Sequence, residues 1–188
     1  MRRIINSTYI TIDGAVENPH HWPSSGDSQG KAQAIQTDLL EQCDVVLMGR
    51  RTYESFAAAW PNRSGDPYSD RINAMTKVVV STTLSDPAWN NTTVIRDDVP
   101  AALARLKERP GGDIVQYGLG RLSYTMLEHG LLDELRLWLH PQILGREGPH
   151  TPHFPECPPA QFTLVDTTVL PNGVAILRYA VRASGRAP

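Results

Sequence analysis

Residues 4–12 alternate loosely between apolar and polar positions and are rich in β-branched side chains, which predicts a first strand broken by Asp13-Gly14. Residues 17–30 are polar around a single tryptophan, Trp22, and read as a long loop of a length often tied to function. From Lys31 to Gln42 the apolar spacing turns helical, with Ala34, Ile35 and Leu39 on one face. Asp44 to Gly49 is a short continuous apolar run, the pattern of a strand buried on both faces of a helix-covered sheet. Arg51 to Trp60 reads as a helix stopped by Pro61, and residues 61–75 read as loop. Lys77–Ser81 and Thr92–Ile95 are two more short strands. Asp98 and Pro100 open a helix that runs to Arg109 and closes at Pro110-Gly111-Gly112.

Asp113–Tyr117 is a further strand, followed by Gly118-Leu119-Gly120 and a helix that ends near Gly130. In Glu134–His140, Leu135, Leu137 and Leu139 alternate with Arg136, Trp138 and His140, which predicts a half-exposed strand. Residues 141–160 form a proline-rich loop. Phe162–Leu170 and Val174–Val181 flank Pro171-Asn172-Gly173, a hairpin signal. Strands and helices alternate through most of the chain and strands close it. The expected fold is therefore α/β, with a mostly parallel central sheet flanked by helices and a C-terminal antiparallel hairpin. Residues 1–181 are expected to form one domain, with 182–188 as a loose tail.

Charge and cysteines narrow the classes. A formal net charge of -2 over 188 residues gives no electrostatic footprint for nucleic acid. No apolar run approaches the ~20 residues that span a bilayer, and no targeting segment is visible, so a cytoplasmic protein with no membrane partner is expected. Cys43 and Cys157 are the only cysteines, too few for a disulfide framework, and are expected as free thiols. Cys43 reads as core and Cys157 as exposed among prolines. His150-x-x-His153 with Cys157 lacks a fourth ligand, so no metal is expected.

Candidate chemistry lies at two strand-to-helix junctions, because ligands of open α/β sheets gather at the carboxyl ends of strands. At the first, Gly49 permits a sharp turn, Arg50 and Arg51 stand where a helix begins, and Thr52 offers a hydroxyl. Helix N-termini and arginine forks both suit phosphate, although solvated arginines and a capping threonine explain the same residues. At the second, Gly118-Leu119-Gly120-Arg121 lacks the third glycine of a dinucleotide fingerprint and reads alone as a tight turn. Trp22 reads either as an aromatic lid over a ring substrate or as a core plug. Asp13 reads as a catalytic or positioning carboxylate, or as a turn former before Gly14.

Leu47-Met48-Gly49-Arg50-Arg51-Thr52-Tyr53-Glu54 resembles the dihydrofolate reductase motif, and Tyr117-Gly118-Leu119-Gly120-Arg121-Leu122 resembles that superfamily's second glycine turn. Thr11-Ile12-Asp13-Gly14, Leu131-Leu132-Asp133-Glu134-Leu135 and His140-Pro141-Gln142-Ile143-Leu144-Gly145 are similar to signatures of one branch. That branch is the C-terminal reductase domain of the bifunctional riboflavin-biosynthesis protein. The resemblance runs from about residue 3 to 181 and implies a dihydrofolate-reductase-like fold and an NADPH-dependent reductase. It places Gly49, Arg50, Arg51 and Thr52 on the cofactor's phosphates, and Ser81 and Thr82 near its adenosine 2′-phosphate. Gly118, Leu119, Gly120, Arg121 and Leu122 would line the pyrophosphate and nicotinamide side. Leu119 departs from the superfamily's small residue.

The implied substrate is a pyrimidine- or pterin-like heterocycle, as in reduction of a ribosylamino-pyrimidine phosphate. Asp13 is the catalytic candidate, and Trp22 and Asp27 are the substrate-side candidates. Counting back from Gly49 to the first-helix carboxylate of dihydrofolate reductases meets Gln33 and Gln36, with Asp27 reachable only across a gap. That argues against dihydrofolate itself. The chain carries no deaminase zinc motif, so only one step of such a pathway is implied. Two other readings stand: a reductase of another small carbonyl or imine, and a non-catalytic nucleotide- or ligand-binding protein that kept the fold. The branch is commonly dimeric, which together with apolar strand edges implies a homodimer.

Overall fold

The computed structural model describes residues 1–145 and 157–182. Most of the 141–160 loop, with His150 and His153, and all of the expected tail except Arg182 lie outside the described residues. The described residues form eight strands and five α-helices. The strands are β1 (Ile4–Thr11), β2 (Cys43–Gly49), β3 (Thr76–Val80), β4 (Thr92–Ile95), β5 (Asp113–Tyr117), β6 (Glu134–His140), β7 (Phe162–Val169) and β8 (Ala175–Val181). The helices are α1 (Lys31–Gln42), α2 (Arg50–Ala59), α3 (Pro67–Ala74), α4 (Val99–Glu108) and α5 (Arg121–Glu128). The α/β architecture with a parallel sheet and a closing antiparallel hairpin is the one the sequence predicts. Among the described residues, no helix is long and apolar enough to cross a membrane.

Two compact units divide the chain. The first comprises Met1–Ile5 and Gln33–Tyr117. Its strands run in the order β4-β3-β2-β5, and every pairing among them is parallel. β2 is buried almost throughout, as its unbroken apolar run requires of a strand covered on both faces. Its Val46 and Met48 pack with Leu39, Tyr53, Ile72 and Val79 in a core that also takes in Cys43. Residues 61–75 are not a plain loop. Pro67–Ala74 form α3, capped by the Asp66 carboxylate, which accepts from the Ser69 N–H at 3.0 Å. Aspartate at the cap and proline at the first helical position are the local signal for it.

The second unit comprises Asn6–Ala32 and Gly118–Pro188. Its strands run β1-β6-β8-β7, with β6–β8 and β8–β7 antiparallel. β7 and β8 join through Leu170–Val174, where Gly173 at φ 82° takes the left-handed conformation the Asn-Gly signal predicts. β6 is not half-exposed. Glu134, Leu135, Arg136 and Trp138 are all buried. The Glu134 carboxylate accepts from Arg136 Nε at 2.5 Å and Arg178 Nε at 3.1 Å, so polar residues are carried inside as a network rather than facing water. Trp138 donates its indole N–H to Ser7 Oγ at 3.1 Å.

Candidate functional site

In the first unit the parallel register sets Gly49 level with Val80, so β2 and β3 end side by side. Gly49 opens α2, and no side chain caps that helix. Its φ of -78° is ordinary, and a Cβ built there meets nothing within 4 Å. Neither the local backbone nor the packing therefore demands glycine, and open space beside it suits the close approach of a ligand. Arg50 donates from Nε to Glu54 Oε1 at 2.6 Å and from Nη1 to Thr83 Oγ1 at 2.6 Å. That second bond ties the β2–α2 turn to the segment after β3, and it brings Arg50 together with the predicted pair Ser81 and Thr82. Ser81 Oγ accepts from the N–H groups of Thr83 and Leu84, a tight hydroxyl-stapled turn. Arg51 and Thr82 are exposed and Thr52 is half-buried. Thr83 and Glu54 were missed by sequence reasoning, because their parts in the arrangement come from Arg50's orientation.

A cleft of about 460 Å³ in this unit, lined by Arg63, Asp70, Asn73, Trp89 and Asn90, lies elsewhere, around the N-terminal end of β3. Its amides serve the fold: Asn73 bonds Trp60 O, Arg63 O and the Trp89 indole, and Asn90 Oδ1 accepts from buried Lys77. We assign no ligand to it.

In the second unit, Gly118 takes φ 84°, which explains glycine at that turn. Its carbonyl accepts from Asn6 Nδ2 at 2.8 Å and Ser123 Oγ at 3.3 Å. Gly120 precedes α5 in extended backbone with no side-chain cap, and a Cβ there also meets nothing within 4 Å. Leu119 and Leu122 are half-buried and Arg121 is exposed.

Asp13 is fully engaged. One oxygen accepts from Thr11 Oγ1 at 2.5 Å and the other from the N–H groups of Leu144 and Gly145, each at 3.1 Å. The Thr11 hydroxyl above all, helped by those two N–H groups, holds its pKa below the usual carboxylate range, although desolvation opposes it. The carboxylate is thus kept ionised as a clamp on residues 144–145. Of the two roles expected for it, this geometry suits positioning rather than proton donation.

Asp27 is exposed, and its carboxylate accepts from the Gln29 N–H at 2.7 Å in a turn leading to α1. Trp22 is half-buried, donates its indole N–H to Glu17 O at 2.9 Å, and sets its ring edge-on to His140 at 5.5 Å. It is neither a core plug nor free of contacts. His140, quoted only as part of a signature, stands between Trp22 and Tyr9 and bonds Ser25 through Nδ1. Alternation along β6 had put it on an outward face. Cys43 is buried as expected, and Cys157 is half-buried, with its thiol pushed up by burial. Among the described residues, no three His, Cys, Asp or Glu side chains cluster closely enough to hold a metal ion.

A curated relative, the uncharacterised protein YyaP of Bacillus subtilis (strain 168), is 31% identical over 156 residues, 79% of each chain. A Shewanella sp. PV-4 protein provisionally assigned to riboflavin biosynthesis superposes with a TM-score of 0.67 at 19% identity, over 97% of this chain and 100% of its own. A pyrimidine reductase-like protein of Corynebacterium diphtheriae gives a TM-score of 0.67 at 15% identity, over 97% and 93%. At such identities these two solved structures share the fold. The model of the RibD C-terminal domain family matches residues 2–176, nearly the whole chain, and the protein belongs to that family.

Proposed function

We propose that the protein is an NADPH-dependent reductase that transfers a hydride to a pyrimidine-like heterocycle, as a single step related to riboflavin biosynthesis. The observation that carries this reading is the end of β2 and β3 in the first unit. There an uncapped helix start, an open glycine at 49, the Arg50 guanidinium and the Ser81–Thr83 hydroxyls converge. One cation, several hydroxyls and backbone N–H groups around open space suit a phosphate monoester such as the adenosine 2′-phosphate. Gly49, Arg50, Arg51, Thr52, Ser81 and Thr82 are assigned to the cofactor on this basis. The turn Gly118-Leu119-Gly120-Arg121-Leu122 is assigned to it on the space beside Gly120 and on family membership. Bound NADPH supplies the hydride, and the protein supplies placement and electrostatics.

The test is a titration of NADPH and NADH by calorimetry, followed by NADPH oxidation against a panel of pyrimidines and pterins. Tight NADPH binding with turnover of a pyrimidine supports the reading. No NADPH binding overturns it. Binding without oxidation of any panel member would move the protein to the non-catalytic ligand-binding reading.

We further propose a homodimer. β7 is the end strand of its sheet and leaves Leu164, Val165 and Val169 53%, 58% and 68% exposed. An exposed apolar edge strand is a pairing surface that proteins cover or charge.

A further inference from the structure

His140 ends β6 with its ring 4.9 Å from Tyr9 and 5.5 Å from Trp22, tilted on the first and edge-on to the second. Nδ1 is bonded to Ser25 Oγ at 3.0 Å, which fixes the ring's orientation. Its other nitrogen, Nε2, is buried with no hydrogen-bond partner among the described residues. Two residues on, the Gln142 side-chain Nε2 is buried and has none among them either. Buried polar groups are normally satisfied, and two exceptions on one short segment call for a cause. Looseness of the segment is not that cause. The Ile12 N–H donates to Gln142 O at 2.9 Å, the Gln142 N–H donates to His140 O at 2.8 Å, and Asp13 holds Leu144 and Gly145.

Over His140 lies a largely exposed loop, tied to the rest of its unit by the Ser25–His140 bond and by Asn172 Nδ2 donating to Gly26 O at 3.2 Å. In the 17–30 loop, Trp22 and Ser25 touch the imidazole, while His20, His21, Pro23, Ser24, Gly26 and Asp27 are exposed. Left-handed backbone brackets the loop, with Asn18 at φ 48° on one side and Gln29 at φ 55° and Gly30 at φ 73° on the other. Burial also lowers the His140 pKa, so the imidazole is neutral near pH 7 and presents one donor and one acceptor nitrogen.

We propose that His140 and Gln142 are substrate-recognition residues for a planar lactam ring, with Ser25 kept on His140 Nδ1. With Nδ1–H donating to Ser25, Nε2 accepts from a ring N–H. The Gln142 amide can only donate from Nε2, and it takes a ring carbonyl. A lactam offers those two groups on adjacent atoms. Tyr9 and Trp22 supply aromatic surface for its faces and edges. The inference rests on the reductase reading for its substrate class, but it concerns the second unit's own side chains.

The experiment measures Kd for uracil, for 5,6-diaminouracil and for 2,4-dimethoxypyrimidine, a ring with neither N–H nor carbonyl. NADPH is titrated separately against the same proteins. His140→Phe keeps a ring against Tyr9 and Trp22 and removes both nitrogens, while His140→Gln restores a polar group near the Nε2 position. The wild type is expected to prefer the two lactams over the dimethoxy ring. His140→Phe should weaken them about tenfold or more, a loss expected for a hydrogen bond left unmade, and should erase the preference with NADPH affinity unchanged. His140→Gln should recover most of the loss, and Gln142→Leu should repeat it. A merely structural histidine would shift all ligands together. Equal lactam affinity in wild type and His140→Phe overturns the proposal, as does a wild type that binds NADPH but no lactam. A wild type that binds lactams with the expected preference but not NADPH leaves the proposal standing and removes the reductase reading.

Discussion

Replacing Arg50 with alanine tests the first unit's phosphate site most directly. A hydrogen bond to a charged group contributes about 1.5–3 kcal/mol. Arg50 is not idle without a ligand, because its Nε bonds Glu54 Oε1 and its Nη1 bonds Thr83. Both partners of the Arg50–Glu54 pair are about half-exposed, and such pairs are worth roughly 0.2–1 kcal/mol. Loosening that pair offsets part of the gain, which leaves about 0.5–2.8 kcal/mol net, or roughly 2- to 100-fold in affinity. Arg50→Ala should weaken NADPH by that factor. NADH lacks the 2′-phosphate and should change far less. Glu54→Gln removes the competitor and should tighten NADPH by up to about 5-fold. Calorimetric titration of both cofactors at fixed, moderate salt reads all three numbers, and raising salt should shrink them. An unchanged NADPH/NADH ratio in Arg50→Ala refutes the reasoning. A changed ratio in Arg51→Ala alone moves the contact one residue along the helix.

Lys77 is fully buried, bonded to Asn73 O and Asn90 Oδ1, and burial lowers its pKa from 10.5 to about 8. Below that pH both states are charged and the full cost of burial is felt; above it the native state sheds a proton that the unfolded chain keeps until 10.5. Wild type should therefore gain about 2 kcal/mol on Lys77→Met between about pH 7 and about pH 9.5 in urea unfolding, and a flat or falling difference would contradict a buried charged amine. Asp13→Asn should release the Leu144 and Gly145 amides to faster hydrogen exchange. In wild type the same release should set in as acid protonates the carboxylate, below the usual aspartate pKa because the clamp lowers it; equal protection in the variant would show that Asp13 does not hold that segment. Val165→Lys on the bulged edge of β7 should shift a dimer toward monomer by light scattering, and a wild type already monomeric at micromolar concentration would remove the homodimer.

Local chemistry made much of this protein legible without coordinates. The apolar run of β2, the proline and glycine breaks around α4 and the Asn-Gly hairpin are set by residues that touch in sequence, so periodicity and turn preference report them directly. The glycine–arginine turn at 49–50 was legible for the same reason, because a strand end, a flexible residue and a helix start are all short-range features. α3 was missed although its signal, Asp66-Pro67, is local, because its apolar face is only Tyr68 and Ile72.

Other features belong to the tertiary structure alone. β6 reads as half-exposed because burial of Glu134 and Arg136 depends on an ion pair with Arg178, 44 positions away from Glu134. Asp13 could be a turn former or a functional carboxylate until its clamp on residues 144 and 145 is seen, more than 130 positions along the chain. Thr83 turns Arg50 toward the segment after β3, and Ser25, 115 positions away, fixes the His140 ring. A sequence states which groups can ionise or donate. Which of them are satisfied, and which are left with an unmet hydrogen bond, is decided by chain segments brought together through folding, and that choice separates a structural polar residue from a recognising one.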